Sequence, residues 1–478
     1  MPSPRLRVDP GSGRPSPDEL AALRVELGVP SSFPPDVEAA AAIAARRTPS
    51  GEHADETSVE LVTMDPPGSI DLDQAFHAAR TDDGWRVRYA IADVGWFVRP
   101  GDALDLEARR RGVTLYSPDR RATLYPTSLS EGAASLLAGV DRPALLWDID
   151  VAPSGEARSF DVRRALVRSR EQLTYQQAQD RIDEGSAAEP LRLLAEIGAA
   201  LQRAEIARGG VHLPTPEQEA VADGGRWSLR FRASLPVENW NAQVSLLTGR
   251  CAAALMLRAG TGVLRTLPPP ATGAVESLRR SALALEVAWP ANMAYAEWIR
   301  GLDVTDARHA ALATLATRLL RGAGYVAFVD GAPTGDEARH AAIAAPYAHV
   351  TAPLRRLADR YANEVALAVC AGSAVRDDVL AALPQLPELM TDAGRRQSAL
   401  ERATLDLVEA LVLSSRVGEE FDATVVEVAR DRDRGVVQLV DPAVRAPVAG
   451  PRLALGARLT VRLEAADPVS RTVLFRAT

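Results

Sequence analysis

The sequence contains no lysine at all, only two cysteines, and no apolar run long enough to cross a bilayer. Each shortage excludes something. Cys251 and Cys370 are too few and too far apart for a disulfide framework or a thiolate metal site, so a reducing cytosol is the natural setting. The first residues, MPSPRLRVDPGSGRPSP, lack the apolar core of a secretory signal, and a cytoplasmic protein is expected. An excess of positive charge is missing too: 55 basic residues stand against 63 acidic ones, a net charge of −8. That argues against nonspecific nucleic-acid binding by the surface as a whole, but not against a local basic channel, because binding depends on local phosphate contacts. Every fixed cation is an arginine, whose planar fork suits phosphate oxygens; a codon bias explains the same preference across the whole chain. None of the histidines, His77 and His340 included, has the spacing of a metal ligand set.

What is present is an ordinary soluble composition, 47% hydrophobic and 25% charged over 478 residues, long enough for two or three domains. Residues 1–17 read as a flexible arm. Leu20, Leu23 and Leu27 then share one face of a short helix stopped by Gly28-Val29-Pro30, and Asp36–Arg47 gives a second short helix. Strand patterns follow at Ser58–Met64, Trp85–Val94 and Leu145–Ala152. Helical periodicity dominates afterwards, at Leu191–Arg208, Trp240–Arg258, Gly273–Leu285, Asp306–Arg321, Pro353–Ala371 and Arg395–Ser415. A sheet first and helices later indicate an α+β body. From Val417 five short strands in about 60 residues fit an OB-fold barrel, a common oligonucleotide binder. Its aromatics are only Phe421 and Phe475, so a plain structural cap remains an alternative.

The most informative stretch is MDPPGSIDLDQAF, from Met64 to Phe76. Asp71 and Asp73 are two apart and project to one side of an extended backbone. Asp65 lies six residues earlier, across a Pro-Pro-Gly turn that can fold it back toward them. Three converging carboxylates form a hard-oxygen site for Mg²⁺, or Mn²⁺, and their mutual repulsion would make the gathering costly without a cation. Such an ion activates water and neutralises charge on a phosphodiester. An Asp-rich, solvated turn is the plainer alternative for this spacing alone.

The stretch resembles the signature of the RNB domain of the ribonuclease II/ribonuclease R family, and the resemblance continues. Tyr89–Leu145 is similar to the family throughout, as are LTYQQAQ (Leu173–Gln179), ENWNAQVSLLTGRCAA (Glu238–Ala253) and YAHVTAPLRRLAD (Tyr347–Asp359). Composition and helical periodicity make residues 1–53 a flexible arm followed by a short helical segment. The resemblance implies an RNB catalytic domain over 54–415, α+β with a mixed sheet packed by helices. An OB-fold RNA-binding barrel is then expected over 416–478. It also implies hydrolytic 3′→5′ degradation of single-stranded RNA to nucleoside 5′-monophosphates; a monomer is expected. Asp65, Asp71, Asp73 and Gln74 would hold the metal, with Asp71, Asp73 and Arg355 carrying the chemistry. Arg355 would contact the scissile phosphate from the first turn of a helix opened by Pro353. Tyr116 would stack near the RNA 3′ end, and Tyr347, His349 and Arg356 would line the channel. A structural role for His349, and pairing of Arg356 with Asp359 three residues on, stay open.

The chain departs from the family pattern at Gln74, where a fourth acid is usual, and at Ala352 and Leu357. It also has no room before Asp65 for the two cold-shock domains many members carry. Two other functions therefore compete: an RNA-binding protein that has lost catalysis, motivated by Gln74, and a metal phosphodiesterase acting on small nucleotides, motivated by the acidic total charge.

Overall fold

The computed structural model describes residues 17–49, 51–213, 217–223, 226–232, 234–303, 306–429, 432–439 and 441–478. The expected flexible arm, residues 1–16, lies outside them. Two short helices follow, Pro17–Glu26 and Pro35–Ala44. Both open on proline, whose missing N–H is no loss at a helix start. Leu20 and Leu23 are buried, so the first helix is docked rather than free. Its polar residues reach two different parts of the molecule. Arg24 pairs with Asp119 at 2.5 Å, while both carboxylate oxygens of Glu26 accept from Arg471 at 2.8 Å.

The central sheet takes β1 (Ala54–Asp55), β2 (Leu61–Asp65), β3 (Gln74–Thr81) and β4 (Gly84–Ala92). A ribbon of two short strands, β5 (Leu115–Tyr116) and β6 (Arg121–Ala122), stands apart; β7 (Asp141–Val151) and β8 (Ala157–Thr174) complete the sheet. The order is β1-β8-β2-β3-β4-β7, mixed in direction, with β8 also pairing β7. The 18 residues of β8 make this possible: Ala157–Arg168 runs antiparallel to β7, and Ser169–Thr174 runs parallel to β2. Neither β3 nor β8 announces itself in the sequence as a strand. In β8 the arginines obscure the alternation of Val162, Ala165 and Val167, which are buried, while Arg163, Arg164 and Arg168 pair with Glu56, Asp93 and Asp141. Thr63, which interrupts the apolar pattern of β2, is nevertheless buried on the core side.

Helices cover this sheet, among them Glu189–Ala207, Pro236–Ala259 and Leu357–Cys370, while the long helix Leu386–Leu413 packs toward the C-terminal strands. One differs from expectation in a way that matters. The helix expected from Pro353 begins at Leu357, because residues 355–357 pair with the loop before β5: Thr114 N–H donates to Arg355 O and Leu357 N–H to Gly112 O. Backbone engaged in that ladder cannot also be helical. The five C-terminal strands form a closed barrel, Glu420–Val428, Arg434–Leu439, Arg445–Ala449, Arg458–Asp467 and Thr472–Ala477. Closure removes exposed strand edges, and Phe421, Val425, Val461 and Phe475 fill the interior. Both cysteines are free thiols, and among the described residues no helix is long and apolar enough to cross a membrane.

Leu23→Ala should undock the first helix, since deleting a buried leucine side chain costs about 2 kcal/mol or more. Hydrogen exchange should rise across Pro17–Glu26 and stay unchanged in the sheet; unaltered protection in the helix would show that its burial contributes nothing.

Candidate active site

The site is built on the chain between β2 and β3. Asp65 ends β2 opposite Thr174 of β8, and Pro66-Pro67-Gly68 turns the backbone, Gly68 taking a φ of 76° that a side chain would resist. The segment leading back into β3 is fixed by Ser135, whose hydroxyl accepts from Leu72 N–H at 2.9 Å and donates to Ile70 O at 2.7 Å. Leu72 is fully buried, and the residues flanking it carry the carboxylates. Thr174 caps the next helix through a reciprocal pair of bonds with Gln177, bringing Tyr175 to the same neighbourhood.

The acidic residues have different partners. Asp73 is 2% exposed; its Oδ1 accepts from Leu354 N–H at 2.7 Å, and its Oδ2 faces Arg355 Nε at 3.2 Å. Burial pushes its carboxyl up to about 8 despite the nearby Arg355. Asp71 is clasped by the β5–β6 ribbon, whose Tyr116 and Arg121 are cross-strand neighbours. Arg121 Nη1 lies 2.7 Å from Asp71 Oδ1 and the Tyr116 hydroxyl donates to Oδ2 at 3.3 Å. Gln74 accepts the Tyr89 hydroxyl on its amide oxygen. Asp65 acts electrostatically on Tyr89 and Arg355, which ties it to the same cluster.

Arg355 stands in the turn before the helix, not in its first turn, and its side chain is 28% exposed. That turn is held from within by Asp359, which accepts from Ala352 N–H at 2.7 Å and binds Arg356 through both oxygens. Arg356 therefore has a built-in counter-ion. His349 bonds the Tyr325 hydroxyl at 2.7 Å, and burial, with Arg356 and Arg265 close by, holds it well below the usual histidine range, hence neutral. Tyr347 is 6% exposed and lies against Gly249, where even a methyl group would meet its ring at 2.2 Å. Its ring meets His349 edge-on at 5.5 Å, so it supports that residue instead of presenting an open face. Tyr116 does present one, at 40% exposure.

Among the described residues no three His, Cys, Asp or Glu side chains are gathered as a metal cluster. The expected convergence of three carboxylates is thus not drawn tight here, because arginines lie against two of them. The donors still suit a hard divalent cation: carboxylates, an amide oxygen, and an Asp73 Oδ2 that is buried without a hydrogen bond. A cation is also what would let that carboxyl ionise at neutral pH. Two residues escaped the sequence reading, Tyr89 and Arg121. The Ser117-Pro118-Asp119-Arg120 turn was the signal for the second, since a hairpin there sets Arg121 opposite Tyr116.

Residues 54–370 match the RNB domain, and residues 419–478 match the RNase II-type exonuclease C-terminal S1 domain. The chain belongs to the RNB-domain family, whose nucleases are generally divalent-metal dependent. Exosome complex exonuclease RRP44 of Homo sapiens is 30% identical over 333 residues, 66% of this chain and 34% of its own length. Ribonuclease R of Escherichia coli (strain K12) is 30% identical over 324 residues, 64% of this chain and 39% of its own. The chain spans between 34% and 52% of the length of such curated relatives. The apo form of Mycoplasma genitalium RNase R superposes with a TM-score of 0.85 at 18% identity, covering 96% of this chain and 77% of that one. Yeast Ssd1, a pseudonuclease, superposes at 0.67 with 16% identity, covering 94% and 58%. At such identities the superpositions establish the fold.

Because Asp73 is raised from 3.8 to about 8, it is neutral in the metal-free folded protein at mid pH but ionised when unfolded. Its contribution to stability is full below about 4 and is lost as pH rises toward 8. Asp73→Asn, without that titration, should flatten the fall in melting temperature between about pH 4 and 8 in chelator. A fall as steep as in the wild type would show that another group causes it.

Proposed function

We propose that this chain is a 3′→5′ exoribonuclease that hydrolyses single-stranded RNA to nucleoside 5′-monophosphates with Mg²⁺, Mn²⁺ serving in its place. The observation that carries this reading is the buried Asp73 carboxylate, oriented by Leu354 N–H beside the Arg355 guanidinium. A bound divalent cation would supply Lewis-acid neutralisation of the phosphate and lower the pKa of water. Asp65, Asp71, Asp73 and the Gln74 amide oxygen are the donors that would hold it. The protein's own share follows from geometry. Asp73, once ionised, accepts a proton from or orients the attacking water. Arg355, a partly exposed fixed cation, offsets the negative charge that grows on the phosphate during in-line attack. Tyr116 offers its ring to the terminal base, a stack worth about 1–3 kcal/mol.

A path for the strand is supported by a groove of 730 Å³ lined by Arg265, Arg395, Arg402 and Arg471, with Asp406 its one acid. It runs from the barrel's last hairpin along the helix Leu386–Leu413. Arg265, part of this lining, stacks on Tyr325, the partner of His349. Arginine forks along such a groove suit the phosphates of a single strand whatever its sequence. Mycoplasma genitalium RNase R has been solved with ribose-methylated single-stranded RNA and with double-stranded RNA, which accords with a polymer substrate.

Gln74 favours a second reading, an RNA binder without turnover. Homopolymer RNA labelled at its 5′ end distinguishes the alternatives. The wild type should shorten it progressively, and Asp73→Asn should lose about 10²-fold or more in rate while keeping RNA affinity. Retention without shortening would mean a non-catalytic binder, and no interaction with the polymer a small-nucleotide phosphodiesterase. Gln74→Asp adds a fourth negative charge and should lower the Mg²⁺ concentration for half-maximal rate several-fold, with turnover at saturating metal nearly unchanged. Loss of activity in that variant would mean that position 74 faces the RNA phosphate.

A further inference from the structure

Asp71 is the one proposed metal donor held by a ribbon rather than by the core, and both of its oxygens are engaged. Arg121 sits on Oδ1 at 2.7 Å and the Tyr116 hydroxyl on Oδ2 at 3.3 Å. The other arm of the same guanidinium lies 3.2 Å from Glu131. Arg121 thus bridges two carboxylates, one inside the candidate site and one outside it. It also lines a surface depression of 390 Å³ with Ser117, Thr127 and Glu131, so it has room to move outward. Its side chain is 27% exposed, which leaves it less tightly fixed than a core arginine.

A guanidinium at hydrogen-bond distance from a donor oxygen opposes a divalent cation twice. It occupies the lone pairs the ion needs, and it places a like charge beside the ion. We propose that Arg121 and the divalent cation compete for Asp71, and that Glu131 receives Arg121 when the cation binds. The proposal rests on the reading that these carboxylates hold a metal. It makes Arg121 a positioning residue that sets the metal requirement. With Gln74 already removing one negative charge, the site binds its ion weakly until Arg121 is drawn away. Because Tyr116 shares the ribbon, metal entry also loosens the tyrosine's tie to Asp71.

The test is Mn²⁺ binding to the RNA-free protein, followed by the electron paramagnetic resonance signal of the free ion. Arg121→Gln should bind Mn²⁺ about tenfold more tightly than the wild type, because Asp71 loses its resident cation. Arg121→Lys, which keeps the charge, should return toward the wild-type affinity. Glu131→Gln should act in the opposite direction and weaken binding, since Arg121 then has Asp71 as its only carboxylate partner in the bridge. Opposite signs in the Gln variants at positions 121 and 131 cannot arise from general loosening of the ribbon, and melting curves would report that separately. Unchanged or weaker Mn²⁺ affinity in Arg121→Gln overturns the competition while leaving the metal reading intact. Absence of Mn²⁺ binding in every protein, wild type included, overturns both.

Discussion

The carboxylate of Asp73 accepts a hydrogen bond from Leu354 N–H and faces Arg355, and this contact joins segments 281 residues apart in the chain. The rest of the site depends on it. Burying an acid at this depth is costly, and the cost is limited only if a donor and a counter-charge are supplied on the spot. The protein supplies both by keeping residues 352–356 out of the following helix. Asp359 holds that turn by accepting from Ala352 N–H, and the loop before β5 pairs with it from the other side. One short irregular segment thereby delivers an N–H, a guanidinium and the start of a helix to a single carboxylate.

A chain whose fixed cations are all arginines must decide where each fork points. Many are paired inside the body: Arg360 with Asp105, Arg164 with Asp93 and Glu364, Arg111 with Glu107. Those pairs fix geometry more than they add stability, since removing either partner would strand a buried charge. The arginines that line the groove beside the barrel are of another kind, exposed enough to meet phosphates. A net charge of −8 is compatible with a local path for a polyanion, because four arginines line the groove, although Glu26 pairs with Arg471, Asp392 with Arg395, and Asp406 is part of the lining.

The first helix adds a further link. Through Arg24 it holds the turn between Tyr116 and Arg121, and through Glu26 it holds Arg471 at the groove's edge. Such partly exposed pairs are individually weak, typically about 0–1 kcal/mol, but buried Leu20 and Leu23 anchor the helix on which they ride. The RNB domain and the barrel are thus held by contacts beyond the covalent connection at residues 414–419.

Much of this was legible in the residues alone. The five C-terminal strands carry their own alternation and turns, and the long helices carry their own periodicity, so local signals sufficed. The spacing of Asp65, Asp71 and Asp73 pointed to a hard-oxygen site, and the arginine motif was visible as a run of letters. β8 was hidden because its arginines belong to ion pairs whose partners lie far away in sequence. The start of the helix at Leu357 was hidden because a backbone ladder with residues 112–114, not Pro353, decides it. Tyr347 looked like a channel aromatic until Gly249 and His349 enclosed it. Sequence by itself determined the elements whose periodicity is local, the long helices and the barrel strands, and marked the acidic residues and Arg355 by residue type and spacing. Tertiary structure alone decided which cation meets which carboxylate, Arg355 at Asp73 and Arg121 at Asp71, because charge pairing depends on distances that only the folded chain creates.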